Sequence, residues 1–168
     1  MKNLIVAIAL LLSVITCKSQ TYDKIPTELV QVHRSGDSSF LTLNKVASIK
    51  SRFGAPETQT SEYWEMDSIT VQKYDYNGNE FYIHNNKLVS FTITSADYFV
   101  GNSEQAIRVG NNISSLAKWY PNSFKSREDG AMILLVSFAT NDPIASAEYL
   151  AIVYNGQGII TKIDVVHE

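Results

Sequence analysis

The sequence predicts an α+β fold built from two tandem repeats, each with one helical segment packed on a four-stranded antiparallel sheet. Three observations lead to this prediction: a helical apolar pattern that occurs twice, turn dipeptides at matching places, and runs in which polar and apolar residues alternate. The composition suits a folded globule, because 45% of the 168 residues are apolar and 18% are charged.

The N-terminal residues predict export. A positively charged start at Lys2 is followed by the apolar run 4–15, which is too short to span a bilayer but typical of a signal peptide. Two cleavage sites stay open. The run 14–17 resembles a lipobox that would lipidate Cys17 after removal of residues 1–16, whereas ordinary cleavage after Ser19 would remove residues 1–19. We therefore expect an outer-membrane lipoprotein or a periplasmic or secreted protein, with membrane contact only through a lipid anchor at Cys17.

The remaining chain divides into three predicted parts. Residues 20–40 form a leading segment with a short strand near residues 29–33, residues 41–98 form the first repeat, and residues 99–168 form the second. About 150 residues are enough for one domain with a substantial core.

Each repeat begins with a predicted helix whose apolar residues lie three and then four positions apart, on one helical face. These residues are Val46, Ile49 and Phe53 in the first repeat and Ile113, Leu116 and Tyr120 in the second. Asn44 and Asn111 are the expected N-caps, and Pro56 and Pro121 are expected to end the helices.

A predicted strand meander follows each helix. The first comprises residues 59–66, 69–76, 80–84 and 88–93, with the hairpin dipeptide Asn77-Gly78 and a second turn at Asn85-Asn86. The second comprises residues 122–125, 132–138, 148–154 and 159–166, with a turn at Asn155-Gly156.

The helical pattern with Phe53-Gly54-x-Pro56 and the meander that follows resemble two related bacterial envelope families. One is the small outer-membrane assembly lipoprotein family. The other is the beta-lactamase inhibitor protein family, whose helix-plus-four-strand unit occurs twice, and the tandem pattern over residues 41–166 is more similar to this second family. The resemblance implies binding of another protein across a sheet surface, without catalysis, and it transfers no inhibitory contact residue.

Motifs for catalysis, cofactors and metals are missing from the sequence. His33, His84 and His167 lie far apart and lack metal-ligand spacing, and no nucleophile elbow or phosphate-binding glycine pattern occurs. The acidic cluster Glu62, Glu65 and Asp67 does not match a calcium loop, and we interpret it as a solvated edge with Glu62 and Glu65 on opposite sheet faces. A net charge of −3 without a basic block argues against a nucleic-acid partner.

Two strands of the second repeat are apolar on both faces, which a sheet with one solvated face would not need. Their second apolar face is either core or a docking surface. The candidate partner surface is Tyr63, Trp64, Ile133, Leu135, Tyr149 and Val153. We therefore predict a non-catalytic module that binds another envelope or secreted protein, or a second copy of itself. The alternative is a small-ligand binder or a hydrolase that uses a cleft between the sheets.

Overall fold

The computed structural model describes residues 21–36, 38–128, 130–137 and 148–167, with His167 described by its backbone alone. The predicted signal peptide and the lipidation of Cys17 lie outside the described residues. The strands that it describes are β1 (Lys24–Pro26), β2 (Gln31–Arg34), β3 (Phe40–Thr42), β4 (Thr58–Trp64), β5 (Ile69–Tyr76), β6 (Asn79–His84), β7 (Lys87–Ile93), β8 (Tyr98–Val100), β9 (Ile107–Arg108), β10 (Ala131–Ser137), β11 (Glu148–Tyr154) and β12 (Ile160–His167). The helical elements are α1 (Ile49–Phe53), α2 (Pro121–Lys125) and 3₁₀ turns at Thr27–Leu29 and Ile113–Leu116.

These strands form two sheets. The large sheet has the order β1-β10-β11-β12-β7-β6-β5-β4, and the small sheet has the order β3-β2-β8-β9. Pairing is antiparallel throughout except between β1 and β10. The large sheet crosses the predicted repeat boundary, because β12 pairs with β7 at Ile163–Ile93 and Asp164–Thr92.

The predicted fold class is wrong, because the structure is mainly β and neither helical segment forms a layer. The first predicted helix shrinks to the five residues of α1. Asn44 takes a left-handed backbone with φ of 57°, and Val46 instead bridges to Lys87 with its side chain 78% exposed. Helices this short have little stability of their own, so tertiary contacts decide where they form.

The second predicted helix is also broken. Its first part is the 3₁₀ turn Ile113–Leu116, capped by Asn112, whose Oδ1 accepts a hydrogen bond from Ser114 N at 2.9 Å. Tyr120 leaves the helical region with φ of −131° because the residue before a proline disfavours it. Pro121 therefore starts α2 at its first position, where a missing N–H costs nothing, and does not end a helix. The expected N-caps Asn44 and Asn111 and the expected first strand of the second repeat, residues 122–125, are wrong as well.

The strands of the first repeat are confirmed to within two residues as β4 to β7. Both predicted turn dipeptides have positive φ, at Asn77 and Gly78 and again at Asn85 and Asn86. In the second repeat β10, β11 and β12 are confirmed. The fourth strand expected there does not form, and β1 instead pairs with β10 in parallel. Asp23, next to β1, holds this strand in place, because its carboxylate accepts hydrogen bonds from Asn122 Nδ2 and Ser123 N, each at 2.9 Å.

The core lies between the two sheets and is closed by α1. Phe53 of α1 packs against three rings, with centroid distances of 6.1 Å to Tyr76, 5.3 Å to Phe81 and 5.2 Å to Tyr98. Tyr76 donates a hydrogen bond to the carbonyl oxygen of Gly54 at 2.9 Å, and its burial raises its pKa to about 12. Side chains therefore fill the space between the sheets, where the alternative prediction placed a cleft.

Two polar residues are held within or beside this core. Asn79 is fully buried, and its Nδ2 donates to the carbonyl oxygen of Tyr76 at 2.8 Å while its Oδ1 accepts from the backbone N–H groups of Thr94 and Ser95. The His33 ring stacks between Phe40 and Phe99, with centroids at 5.1 and 4.9 Å. Burial between these rings lowers the pKa of His33.

Candidate functional site

The large sheet has an inner face on the core and an outer face that the small sheet does not cover. Strand alternation and the cross-strand register assign each side chain to one of the two. From β10 to β4, the outer-face residues used below are Ile133, Leu135, Tyr149, Ala151, Val153, Lys162, Asp164, Val166, Ser90, Thr92, Glu80, Tyr82, Lys73, Val71, Glu62 and Trp64. Val71 and Ala151 are buried on this face and lie outside the main core cluster.

One end of the outer face is apolar. Leu135, Tyr149 and Val166 are cross-strand neighbours in one row, and Ile133 and Val153 flank it on β10 and β11. We call these five residues the apolar strip. Each of them is partly exposed, whereas their inner-face neighbours Leu134, Leu150 and Ile152 are fully buried.

The structure places five of the six residues of the predicted partner surface on the outer face, but only four of them lie together. Ile133, Leu135, Tyr149 and Val153 belong to the apolar strip, and Trp64 lies at the opposite end of the outer face on β4. Tyr63 alternates with Trp64 and lies opposite Thr70 of the inner face, although it lines the same cleft as Trp64. It is 63% exposed at the sheet edge.

The end of the outer face opposite the apolar strip carries a charged network on β4 to β6. Lys73 Nζ lies 2.6 Å from Glu80 Oε1 and 3.6 Å from Glu62 Oε1, and Tyr82 OH donates to Glu80 Oε2 at 2.7 Å. The hydrogen bond to Glu80 holds the pKa of Lys73 above its ordinary value. Burial alone would raise the pKa of Glu80, but the hydrogen bonds from Lys73 and Tyr82 outweigh it and keep that pKa low.

A cleft of about 570 Å³ lies between the β4–β5 turn and β12. Residues 65–67 of the turn form one wall, Trp64 and Tyr82 form the end near β5, and β7 and β12 line the rest. Trp64 packs on Tyr82 with ring centroids 5.4 Å apart. Glu62 and Glu65 both line this cleft, whereas strand alternation was expected to separate them onto opposite faces. Strand β4 ends at Trp64, and alternation no longer governs Glu65.

The far wall of the cleft carries a close ion pair. Lys162 Nζ lies 2.6 Å from Asp164 Oδ2, and the Asp164 side chain is only 13% exposed. Its other oxygen, Oδ1, is buried and accepts no hydrogen bond from any residue that the structure describes. Sequence reasoning missed Lys162, Asp164 and Tyr82, although the alternation of residues 161–166 does place Lys162, Asp164 and Val166 on a common face.

The described parts of the chain contain no group of three or more His, Cys, Asp or Glu residues that could hold a metal ion. No helix among the described residues is long and apolar enough to cross a membrane. No family model matches the chain, and neither the curated proteins nor the solved structures contain a match to it. Its function must therefore be inferred from the outer face itself.

Proposed function

We propose that this chain is an exported, non-catalytic module that binds another exported protein of the bacterial envelope through the outer face of its large sheet. The observation that carries the proposal is the apolar strip, which lies on the face opposite the core and runs without a break into a concave cleft. Val166 belongs to both, because it ends the row from Leu135 through Tyr149 and also lines the cleft.

The composition of this face suits a protein partner. Protein interfaces combine an apolar centre with a polar rim and are enriched in Tyr, Trp and Met. The outer face offers Tyr149 in the strip and Trp64, Tyr82 and Met66 around the cleft. Met66 is 87% exposed, and water surrounds this apolar side chain at the mouth of the cleft.

The proposal includes delivery to the envelope. The charged and apolar N-terminal residues support export, and the lipobox-like segment supports an anchor at Cys17. Mass spectrometry of the N-terminal peptide tests the anchor. A diacylated Cys17 is the expected result, and an unmodified N-terminus at Gln20 would contradict it.

Position-specific crosslinking in the living cell tests the binding face. A photoreactive phenylalanine analogue is placed at Leu135, Tyr149 or Val166, one position at a time. Matched controls carry it at Ser51 of α1 and Lys125 of α2, which are exposed elsewhere. We expect a covalent adduct with one other protein from the three outer-face positions and none from the controls.

The remaining outcomes contradict the proposal. Equal adducts from the control positions would show that contact is nonspecific, and no adduct from any position would leave the outer face without a partner. An adduct of twice the chain's own mass would show that the face joins two copies and does not bind a different protein.

A further inference from the structure

The cleft on the outer face differs from the apolar strip in its charge. Among its lining residues, Glu62, Glu65, Asp67 and Asp164 are acidic, and Lys162 is the basic one that the structure describes there. Lys162 is already paired with Asp164 at 2.6 Å. The cleft is therefore net negative, and its charge favours a positively charged group.

The shape and walls of the cleft suit a cation with an apolar stem. A volume of about 570 Å³ is enough to enclose a long side chain. Trp64 and Tyr82 supply aromatic surface, which attracts cations through the ring quadrupole, and Lys73 already lies 5.7 Å from the centroid of the Tyr82 ring. Val166 and Met66 supply apolar contacts for a methylene stem.

A side chain of a polypeptide fits this site better than a free small cation. The apolar strip continues from Val166 to Leu135 over three adjacent strands, so a molecule that fills the cleft lies directly beside an apolar row. A polypeptide segment covers both surfaces at once, with apolar residues on the strip and a charged residue in the cleft.

We propose that the cleft receives an arginine or lysine side chain from the bound protein, flanked by apolar residues that lie on the apolar strip. This inference rests on the proposed function, since it names the chemistry of the partner at the same face. The guanidinium or ammonium group lies between the carboxylates of the β4–β5 turn and the wall formed by β12, over the Trp64–Tyr82 pair.

Titration with blocked peptides, followed by nuclear magnetic resonance of the mature chain, tests the inference. One pentapeptide has arginine at its centre with valine and leucine around it, and its twin has citrulline, which keeps the shape but removes the charge. We expect the arginine peptide to shift the Trp64 indole and Val166 amide signals. The citrulline peptide is expected to bind about tenfold more weakly, which corresponds to the loss of one partly desolvated charge contact.

Charge-neutral variants locate the site. The pair Glu65→Gln and Asp67→Asn removes two carboxylates from the turn, and both residues are exposed, so the fold is retained. The matched control is the pair Glu104→Gln and Asp97→Asn, which removes two exposed carboxylates outside the cleft. We expect severalfold weaker binding from the first pair and unchanged binding from the control.

The possible failures can be told apart. Equal binding of the arginine and citrulline peptides would overturn the cation inference and leave the protein-binding function standing. Ethylguanidinium alone binding as tightly as the arginine peptide would make this a small-cation site and overturn both proposals. The absence of shifts at Trp64 and Val166 with millimolar arginine peptide would overturn the inference outright.

Discussion

Two adjacent leucines of β10 provide the sharpest test of how the sheet faces are assigned. Leu134 points to the core and is fully buried, whereas Leu135 belongs to the apolar strip and is partly exposed. The two residues share one strand, so strand propensity and position in the chain are matched. Only the face differs between them.

Truncation to alanine should separate the two positions by about 2 kcal/mol. Leu134→Ala removes a fully buried side chain and leaves a cavity, which costs about 3 kcal/mol of unfolding free energy. Leu135→Ala loses only part of a leucine's burial, which amounts to about 1 kcal/mol. Leu135→Lys should also fold, because the lysine stem can lie along the strip with its ammonium group in water. Leu134→Lys should not fold.

Urea unfolding of the mature chain measures these differences. With a slope of about 2 kcal/mol per molar urea, the midpoint should fall by about 1.5 M for Leu134→Ala and about 0.5 M for Leu135→Ala. The folded Leu135→Lys variant should lose the crosslinked adduct formed from Tyr149. Equal losses of stability at Leu134 and Leu135 would refute the reasoning, because the strip would then be covered within the molecule itself.

Three further predictions concern polar groups. Asn79→Leu removes the hydrogen bonds that the Asn79 side chain makes to the carbonyl oxygen of Tyr76 and to two backbone N–H groups. The unfolding free energy measured by chemical denaturation should therefore fall by about 3 kcal/mol. A loss below about 1 kcal/mol would contradict this prediction. Because the pKa of Glu80 is lowered in the folded state, its contribution to stability is present above the ordinary value of 4.5 and is lost as pH falls through the folded pKa. Urea midpoints should therefore drop more steeply below that pH in the unaltered chain than in Lys73→Met, and parallel curves would count against the network. Burial lowers the pKa of His33, so the folded state resists protonation, and stability should decrease as pH falls below the ordinary value of 6.5. In His33→Phe this decrease in stability should be smaller. Urea midpoints between neutral and mildly acidic pH measure the difference.

Local sequence signals predicted the strands of the first meander well. The dipeptides Asn77-Gly78 and Asn85-Asn86 accept the positive φ that tight hairpins need, so they fix where one strand ends and the next begins. The alternation in the second repeat also placed Leu135 and Tyr149 on a common face. These features depend on residues close together in the chain.

The helix predictions were wrong because the same apolar spacing also fits a single short helical turn. Ile49 and Phe53 are buried from a single turn of helix, and the small sheet covers the area that a longer helix would have covered. Beside β2, that sheet consists of residues 40–42, 98–100 and 107–108, and none of these three runs is long enough to predict a strand with an assigned partner. The cleft was equally inaccessible to sequence reasoning, because it depends on the β4–β5 turn lying near β12, about a hundred positions further along the chain.

The position of β12 has a consequence for how the chain acquires its structure. Strand β12 is the last of the described strands, yet it lies in the middle of the large sheet, and Ser90 reaches across to the carbonyl oxygen of Val165 over 75 positions. Contacts between such distant residues raise the contact order and slow folding. The two parts of the large sheet can each form hairpins from local contacts, but they cannot join until β12 pairs with β7. The centre of the large sheet is therefore expected to close after its two ends.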